Sequence, residues 1–249
     1  MPGLGRRSIL IAGAGLLAGS TATADNKQTP GNGPWAVELF TSQGCSSCLP
    51  ADAVLGKLAE RPDIVALSFH VDYWDYIGWK DRFATKETAE RQRAYARTLR
   101  QKYVYTPEMV VDGRVHQPGT NNGQIETMLA DARRRSAVRT TPTLKRMADG
   151  TLRIWLDAAK IDGTADVTLF VYDRRHATPV QRGENEGRRL DNFNVVRHLE
   201  IVGPWNGSQA HWTVPTSRFQ PEQGLAVIVQ QSDHGPVLGA NKLEPMIAG

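Results

Sequence analysis

Cys45-Ser46-Ser47-Cys48 holds both cysteines of a 249-residue chain, between the strand-like run WAVELFTS and a helix-like run that follows. C-x-x-C at a strand-to-helix junction is the arrangement of a thiol–disulfide redox site. One helical turn brings the two sulfurs to bonding distance and closes a very small ring. Pro50 belongs in the first turn, where its missing N–H removes no intrahelical bond, so the helix is expected to begin near Ser46 or Ser47. Cys45 would then stand at the positive end of the helix, whose free N–H groups favour thiolate over thiol. That makes Cys45 the attacking sulfur and Cys48 the resolving one, and it requires Cys45 Sγ to be exposed. An inert disulfide is the alternative, although so short a loop restrains the unfolded chain little. Structural zinc needs four ligands, and the sequence offers neither a second cysteine pair nor a His-x-x-x-His. A carrier holding Cu(I) on Cys45 and Cys48, with or without His70, is the binding-class alternative. The redox reading needs no cofactor and no resident metal.

Three other places bear on the same chemistry. Strands flanking a β-α-β helix run parallel, so the segment after Phe69 emerges at the same sheet edge as Cys45, where ligand sites of open α/β sheets gather. His70, Asp72, Trp74 and Trp79 in HVDYWDYIGWKD are therefore candidates for the rim of the site, or else core aromatics and a satisfied strand-end histidine. Pro107 heads a strand that must run antiparallel to the first two, which brings it to that edge. A cis proline there would leave the backbone of Thr106 free to pair with a bound substrate chain. Glu38 interrupts the apolar AVELF and is expected beneath the cysteines, where burial would raise its pKa and let it move a proton to or from Cys48. On that expectation Glu38→Gln slows the second half of thiol exchange. A strand-end acid with a basic partner is the other reading.

The elements that must position these residues follow from periodicity and turn chemistry. After the cysteines a helix runs to about Glu60, closed by Arg61-Pro62. IVALSFHV is an uninterrupted apolar strand. Ala89, Ala96, Leu99 and Tyr103 keep helical spacing over a charged segment from about Phe83 to Gln101. PEMVVDGRVHQ is a hairpin turning at Asp112-Gly113, and NNGQIETMLADARRR is a helix. The order is β-α-β-α-β-β-α over residues 35–139. Residues 140–249 change character: a hairpin around Asp149-Gly150 precedes DVTLFVYD, NVVRHLEIV, AHWTVP and LAVIVQQ, with no convincing helix between them. Such a run indicates a β-sandwich-like second domain.

The chain begins MPGLGRRSILIAGAGLLAGSTATADN. A basic start, an apolar stretch from Ile9 to Ala18 and a small-residue Ala22-Thr23-Ala24 site make residues 1–24 an export signal, and Arg6-Arg7 gives it a twin-arginine look. Residues 25–34 read as a linker. No other apolar run approaches the roughly 20 residues that span a bilayer. The mature chain is therefore expected to be periplasmic or secreted, where a disulfide persists. The net charge of +4 falls to +2 once Arg6 and Arg7 are removed with that signal, too small a bias to argue for nucleic acid. The implied partners are a protein thiol or disulfide substrate and a redox partner.

VELFTSQGCSSCLPAD, ALSFHVDYWDYIGWKD, YTPEMVVDG and RGENEGRRLDNFNVVRHL together resemble the bacterial secreted, thioredoxin-like family catalogued as domain of unknown function 1223, over about Trp35 to Leu243. The resemblance implies a thioredoxin-like α/β domain followed by a β-rich one, and it supplies no substrate. The family pattern has two prolines after the second cysteine, where this chain has Leu49 first. Similarity to thioredoxins, with a buried acid and a cis-proline facing the cysteines, supports Glu38 and Pro107. Arg182, Gly183, Glu184, Asn185, Asn194 and Arg197 form the family-like segment of the second half, read here as structural, with a Glu184–Arg197 ion pair as the expected contact.

Overall fold

The computed structural model describes residues 33–135 and 139–246; residues 1–24, expected to be an export signal, and most of residues 25–34, expected to be a linker, lie outside the described residues. β1 (Trp35–Thr41) and β2 (Ile64–His70) are buried along their whole length and pair in parallel, Leu39 opposite Ser68. Continuous apolar runs form such strands because both faces are covered. The first connection is a 3-10 helix over Ser46–Cys48 leading into α1 (Leu49–Ala59), with Pro50 in the first turn. The second passes through a 3-10 helix over Asp72–Ile77 to α2 (Lys86–Thr98), which starts at a reciprocal Thr85/Thr88 capping box. That cap, with its two satisfied N–H groups, makes the helix shorter than its periodicity suggested. β3 (Glu108–Val111) runs antiparallel to β1 and pairs with β4 (Val115–Gln117). Between them Asp112 (φ 53°) and Gly113 (φ 64°) are the central residues of a turn in which the Arg114 N–H donates to the Val111 carbonyl at 3.0 Å, positive φ values that Asp and Gly accept more readily than other residues. α3 (Asn122–Arg135) follows.

The second half supplies β5 (Thr143–Arg146), β6 (Thr151–Leu156), β7 (Ala165–Pro179), β8 (Arg189–Trp205), β9 (Ala210–Pro215), β10 (Gln223–Gln231) and β11 (Val237–Leu243). Four of these extend the first-half sheet, giving one eight-stranded sheet in the order β11-β10-β7-β8-β2-β1-β3-β4. The junction is a parallel contact of β8 with β2 at Ser68 and Val195. Asn194, at φ 44°, donates from Nδ2 to the Ala66 carbonyl at 2.8 Å and secures it. β5, β6 and β9 make a separate three-stranded sheet. Its Leu152, Ile154 and Leu156 share a core with Val167, Leu169, Leu225 and Val227 of the large sheet, so two sheets do face each other here. The architecture is mixed α/β, mostly β, around the eight-stranded sheet.

Alternation along β1 sorts its residues between two cores. Val37 and Leu39 pack with Leu55, Leu58 and Leu129 on the side of α1 and α3. Ala36 and Phe40 pack with Tyr95 on the α2 side, together with Phe170 and Ile228 of the second half. The halves are also tied by Arg139, which donates from Nη1 to both Asp112 carboxylate oxygens at 2.8 Å and lies 4.0 Å from the Trp35 ring centre. Among the described residues no helix is long and apolar enough to cross a membrane.

Candidate functional site

Cys45 and Cys48 are joined by a disulfide, with Cα atoms 5.5 Å apart. They lie just beyond the C-terminal end of β1, where the chain turns into α1. The expectation of an exposed Cys45 fails: both cysteines are fully buried, while Ser46 and Ser47 between them are exposed. The cause is a cover made of two segments. From the first half, Trp74 and Ile77 press on Gly44, where an added Cβ would come within 3.4 and 3.1 Å of them. From the second half, the β7–β8 connection reaches over the cysteine loop. Its Glu184 accepts the Ser46 N–H at Oε2, 3.1 Å, and its buried Asn185 donates from Nδ2 to the Gln43 carbonyl at 2.9 Å. Gly183, at φ 80°, brings this turn against Ile77 and Trp79. The N–H of Ser46 holds the Glu184 carboxyl below its ordinary pKa. The expected Glu184–Arg197 pair is therefore absent: Arg197 faces Asp173 at 3.6 Å and the Phe83 ring instead.

Gln43 is the hub of the cover. Its N–H donates to Asp81 Oδ2 (2.8 Å), its Nε2 to Asn192 (3.0 Å), and its Oε1 accepts from Trp79 Nε1 (3.2 Å). Asp81 also accepts the Phe83 N–H at 3.0 Å and meets His70 Nδ1 at 2.7 Å. Burial alone would raise the Asp81 pKa, but the His70 ring and the two N–H donors outweigh it and hold the carboxyl low. A carboxylate only accepts, so His70 Nδ1 carries a proton and donates it to Asp81, while Nε2 has no partner. His70 is completely buried, so it belongs beneath the site and not on its rim. Trp74 and Trp79 are half-buried rim residues, and Asp72 opens the 3-10 helix that carries Trp74.

Trp74 Nε1 donates to Thr106 Oγ1 at 2.6 Å, joining the cysteine loop's cover to the start of β3. The Thr106-Pro107 peptide is cis. Gln92 of α2 braces this segment from behind, donating to the Tyr105 carbonyl and to Glu108 Oε2, each at 2.7 Å.

Glu38 lies elsewhere. It is on the α2 face of β1, the face opposite α1, and it accepts from Arg91 Nε and Nη2 at 2.5 and 2.9 Å and from Tyr95 Oη at 2.5 Å. Gln230 of β10 completes the cluster through Arg91 Nη2 and Tyr95 Oη. The basic-partner reading of Glu38 is the correct one, because a strand residue three before Thr41 points to the other side of the sheet.

The acid on the cysteine side is Asp52. It stands one turn after Cys48 on α1, and side chains four apart on a helix lie on one face with Cβ atoms roughly 5–6 Å apart. Asp52 is buried, accepts from Thr41 Oγ1 at 3.3 Å through Oδ2, and leaves Oδ1 without a partner. Burial pushes its pKa up to about 7, against the lowering pull of His70, Thr41 and Asn192. The signal was present in the sequence: an aspartate inside the otherwise apolar LPADAVL. Gln43, Asp81 and Asn185 carried no comparable signal, because each matters through contacts distant in the chain.

Among the described residues no three His, Cys, Asp or Glu side chains are grouped to hold a metal ion. Both cysteine sulfurs are committed to each other, and His70 Nδ1 to Asp81.

Comparison with known proteins gives a family and a structure. The model of the family described as "Protein of unknown function (DUF1223)" matches residues 36–230. A structural-genomics crystal structure of a protein from Agrobacterium tumefaciens is 33% identical, with a TM-score of 0.78 over 89% of this chain and 98% of that one. An endonuclease/exonuclease/phosphatase from Beutenbergia cavernae aligns over 41% of this chain and 22% of its own at 17% identity and a TM-score of 0.21, a likeness that carries no argument. No curated protein matches.

Proposed function

The chain belongs to the DUF1223 family, and for it we propose thiol–disulfide exchange with other proteins, carried out by the Cys45–Cys48 disulfide. The observation that carries this reading is the position of the pair: a disulfide closed over two residues at the start of a helix, one turn from a buried carboxyl poised near neutrality. A bridge that merely stabilised the fold would gain more from closing a long loop. The sheet order β2-β1-β3-β4 with β3 antiparallel, and Pro107 directly before β3, next to the Thr106 that Trp74 holds, support a thioredoxin-like reading of the first half. In that reading Thr106, Pro107, Trp74, Trp79 and Asp72 border the incoming chain.

Cys45 Sγ is the sulfur attacked. Cys48 leaves in that first step, and Cys45 leaves in the second displacement as a thiolate that the N–H groups at the start of the helix would stabilise. Because the sulfur is covered, exchange requires the Glu184–Ser46 and Asn185–Gln43 hydrogen bonds to open first. The N-terminal 24 residues support export, so the compartment proposed is the periplasm or the exterior, where the disulfide form persists.

Cys48→Ser is the test. With the resolving sulfur removed, Cys45 should retain a protein partner as a mixed disulfide that a reductant releases and that Cys45→Ser does not form. If native protein incubated with dithiothreitol keeps its disulfide until it is unfolded, the exchange reading is wrong and the bridge is structural.

A further inference from the structure

Between α1 and the sheet three buried polar atoms are without partners: Asp52 Oδ1 from the helix, and His70 Nε2 and Ser68 Oγ from β2. Ser68 and His70 share a face of β2, two residues apart. The cover described above closes the cysteines off from solvent at the rim. Asp52, however, also lines a cavity of about 360 Å³ on the flank of α1, with Leu49, Ala53 and Lys57 on one side and Leu190, Asp191 and Phe193 of β8 on the other. A second cavity of about 670 Å³ continues it along the helix, sharing Gly56, Glu60 and Phe193. Gly56 keeps this groove narrow, for a Cβ there would come within 2.7 Å of the Phe193 ring. Asp52, one turn after Cys48 on α1, thus lines an open groove beside α1 while both sulfurs are enclosed.

We infer that Asp52 gives and takes the Cys48 proton, and that this proton reaches solvent through the groove between α1 and β8 and not past the rim. The inference rests on the exchange reading above. In the forward direction a thiolate of a partner's dithiol attacks Cys45 Sγ and the Cys45–Cys48 bond breaks. Cys48 departs as a thiolate and takes the proton from the Asp52 carboxyl. The partner's second sulfur then displaces Cys45, which takes a proton from solvent. The partner is left with one new disulfide, oxidised by two electrons, and this chain with two thiols. Asp52 recovers its proton from the groove. The steps run backward when the partner brings a disulfide.

The groups facing Asp52 fit a proton carrier whose charge state is balanced. Thr41 from β1 and Asn192 from β8 favour the carboxylate, and so does His70 from β2; Asp81 behind His70 and burial favour the acid. Lys57, Glu60, Arg189 and Asp191 in the groove supply charges of both signs near the mouth.

The test is the rate of reduction of the folded protein by dithiothreitol as a function of pH, corrected for the reagent's thiolate fraction. The corrected rate should fall as pH rises through about 7, where Asp52 loses its proton. Asp52→Asn should abolish that inflection and slow reduction below it by on the order of 10²-fold, the usual worth of a placed proton donor. Ala53→Phe, at an exposed groove position, should keep the inflection and slow the reaction several-fold. Infrared spectra of the unaltered protein should show a carboxylic C=O band that titrates near pH 7 and shifts on reduction, a readout independent of whether the asparagine variant folds. A wild-type protein that exchanges readily while Asp52→Asn keeps the same profile, or that lacks the infrared band, overturns the role of Asp52; an Ala53→Phe rate equal to wild type overturns the groove. A disulfide inert in the native state overturns the exchange reading itself.

Discussion

The Glu184 carboxylate accepts the backbone N–H of Ser46 at 3.1 Å, across 138 residues of chain. An anion from the second half of the protein thus occupies the first turn of the helix beside Cys45, where the positive end of the peptide dipoles would otherwise face a sulfur.

Replacing Glu184 by Gln should therefore make the disulfide easier to attack. The expected change in the rate of reduction by an anionic thiol is an acceleration of a few-fold at low ionic strength, fading as salt is added because the carboxylate is exposed. Stopped-flow measurement of the Trp74 and Trp79 emission would follow it. A rate that is unchanged at low salt removes the electrostatic role of Glu184.

Asn185 acts through geometry, not charge. Asn185→Ala leaves the buried Gln43 carbonyl without its donor, which costs about 1–3 kcal/mol. The urea midpoint should fall accordingly, and the cysteines should become more accessible to reagents. If stability falls and accessibility does not, the second-half turn is not what covers the sulfurs.

For Glu38 the expectation is the opposite of a redox role. Glu38→Gln strips Arg91 of its buried counter-charge, and breaking such a pair costs about 3–5 kcal/mol. The rate of disulfide reduction per folded molecule should stay within twofold of wild type. A large kinetic effect with little loss of stability would return Glu38 to the mechanism.

Asp52 predicts a stability that depends on pH. Its pKa is raised by burial from 3.8 to about 7, so the folded state holds a proton that the unfolded state releases. Its contribution is fully present below about pH 4 and is lost as pH rises through 7. Asp52→Asn should match wild type in thermal stability at pH 4 and exceed it at pH 8, by at most about 4 kcal/mol. Curves that stay parallel across that range refute the shifted acid.

The elements around the cysteines were legible because local chemistry dictates them. The apolar runs of β1 and β2, Pro50 in the first turn of α1 and Asp112-Gly113 in the β3–β4 turn each force one conformation on their own. β11 was missed because Pro236, Gly239, Asn241 and Lys242 break its alternation. It forms because β10 offers it a paired edge, with Val227 opposite Asn241. The site was legible only in outline. Periodicity located Glu38 on a strand and said nothing of which face Arg91 would claim, and no local signal links Glu184 or Asn185 to residues 43–46. The RGENEG turn lies far along the chain and is brought over the sulfurs only by the pairing of β7 with β8 and of β8 with β2.

That pairing has a consequence for anyone cutting the gene. β2 has β1 on one side and β8 on the other, so a fragment ending near residue 139 would bare the backbone edge of Ile64–His70, an apolar strand and a ready template for aggregation. It would also strip Phe40 and Phe69 of Phe170 and Ile228. Excising the first half to obtain a smaller reagent should yield inclusion bodies in place of a working miniature.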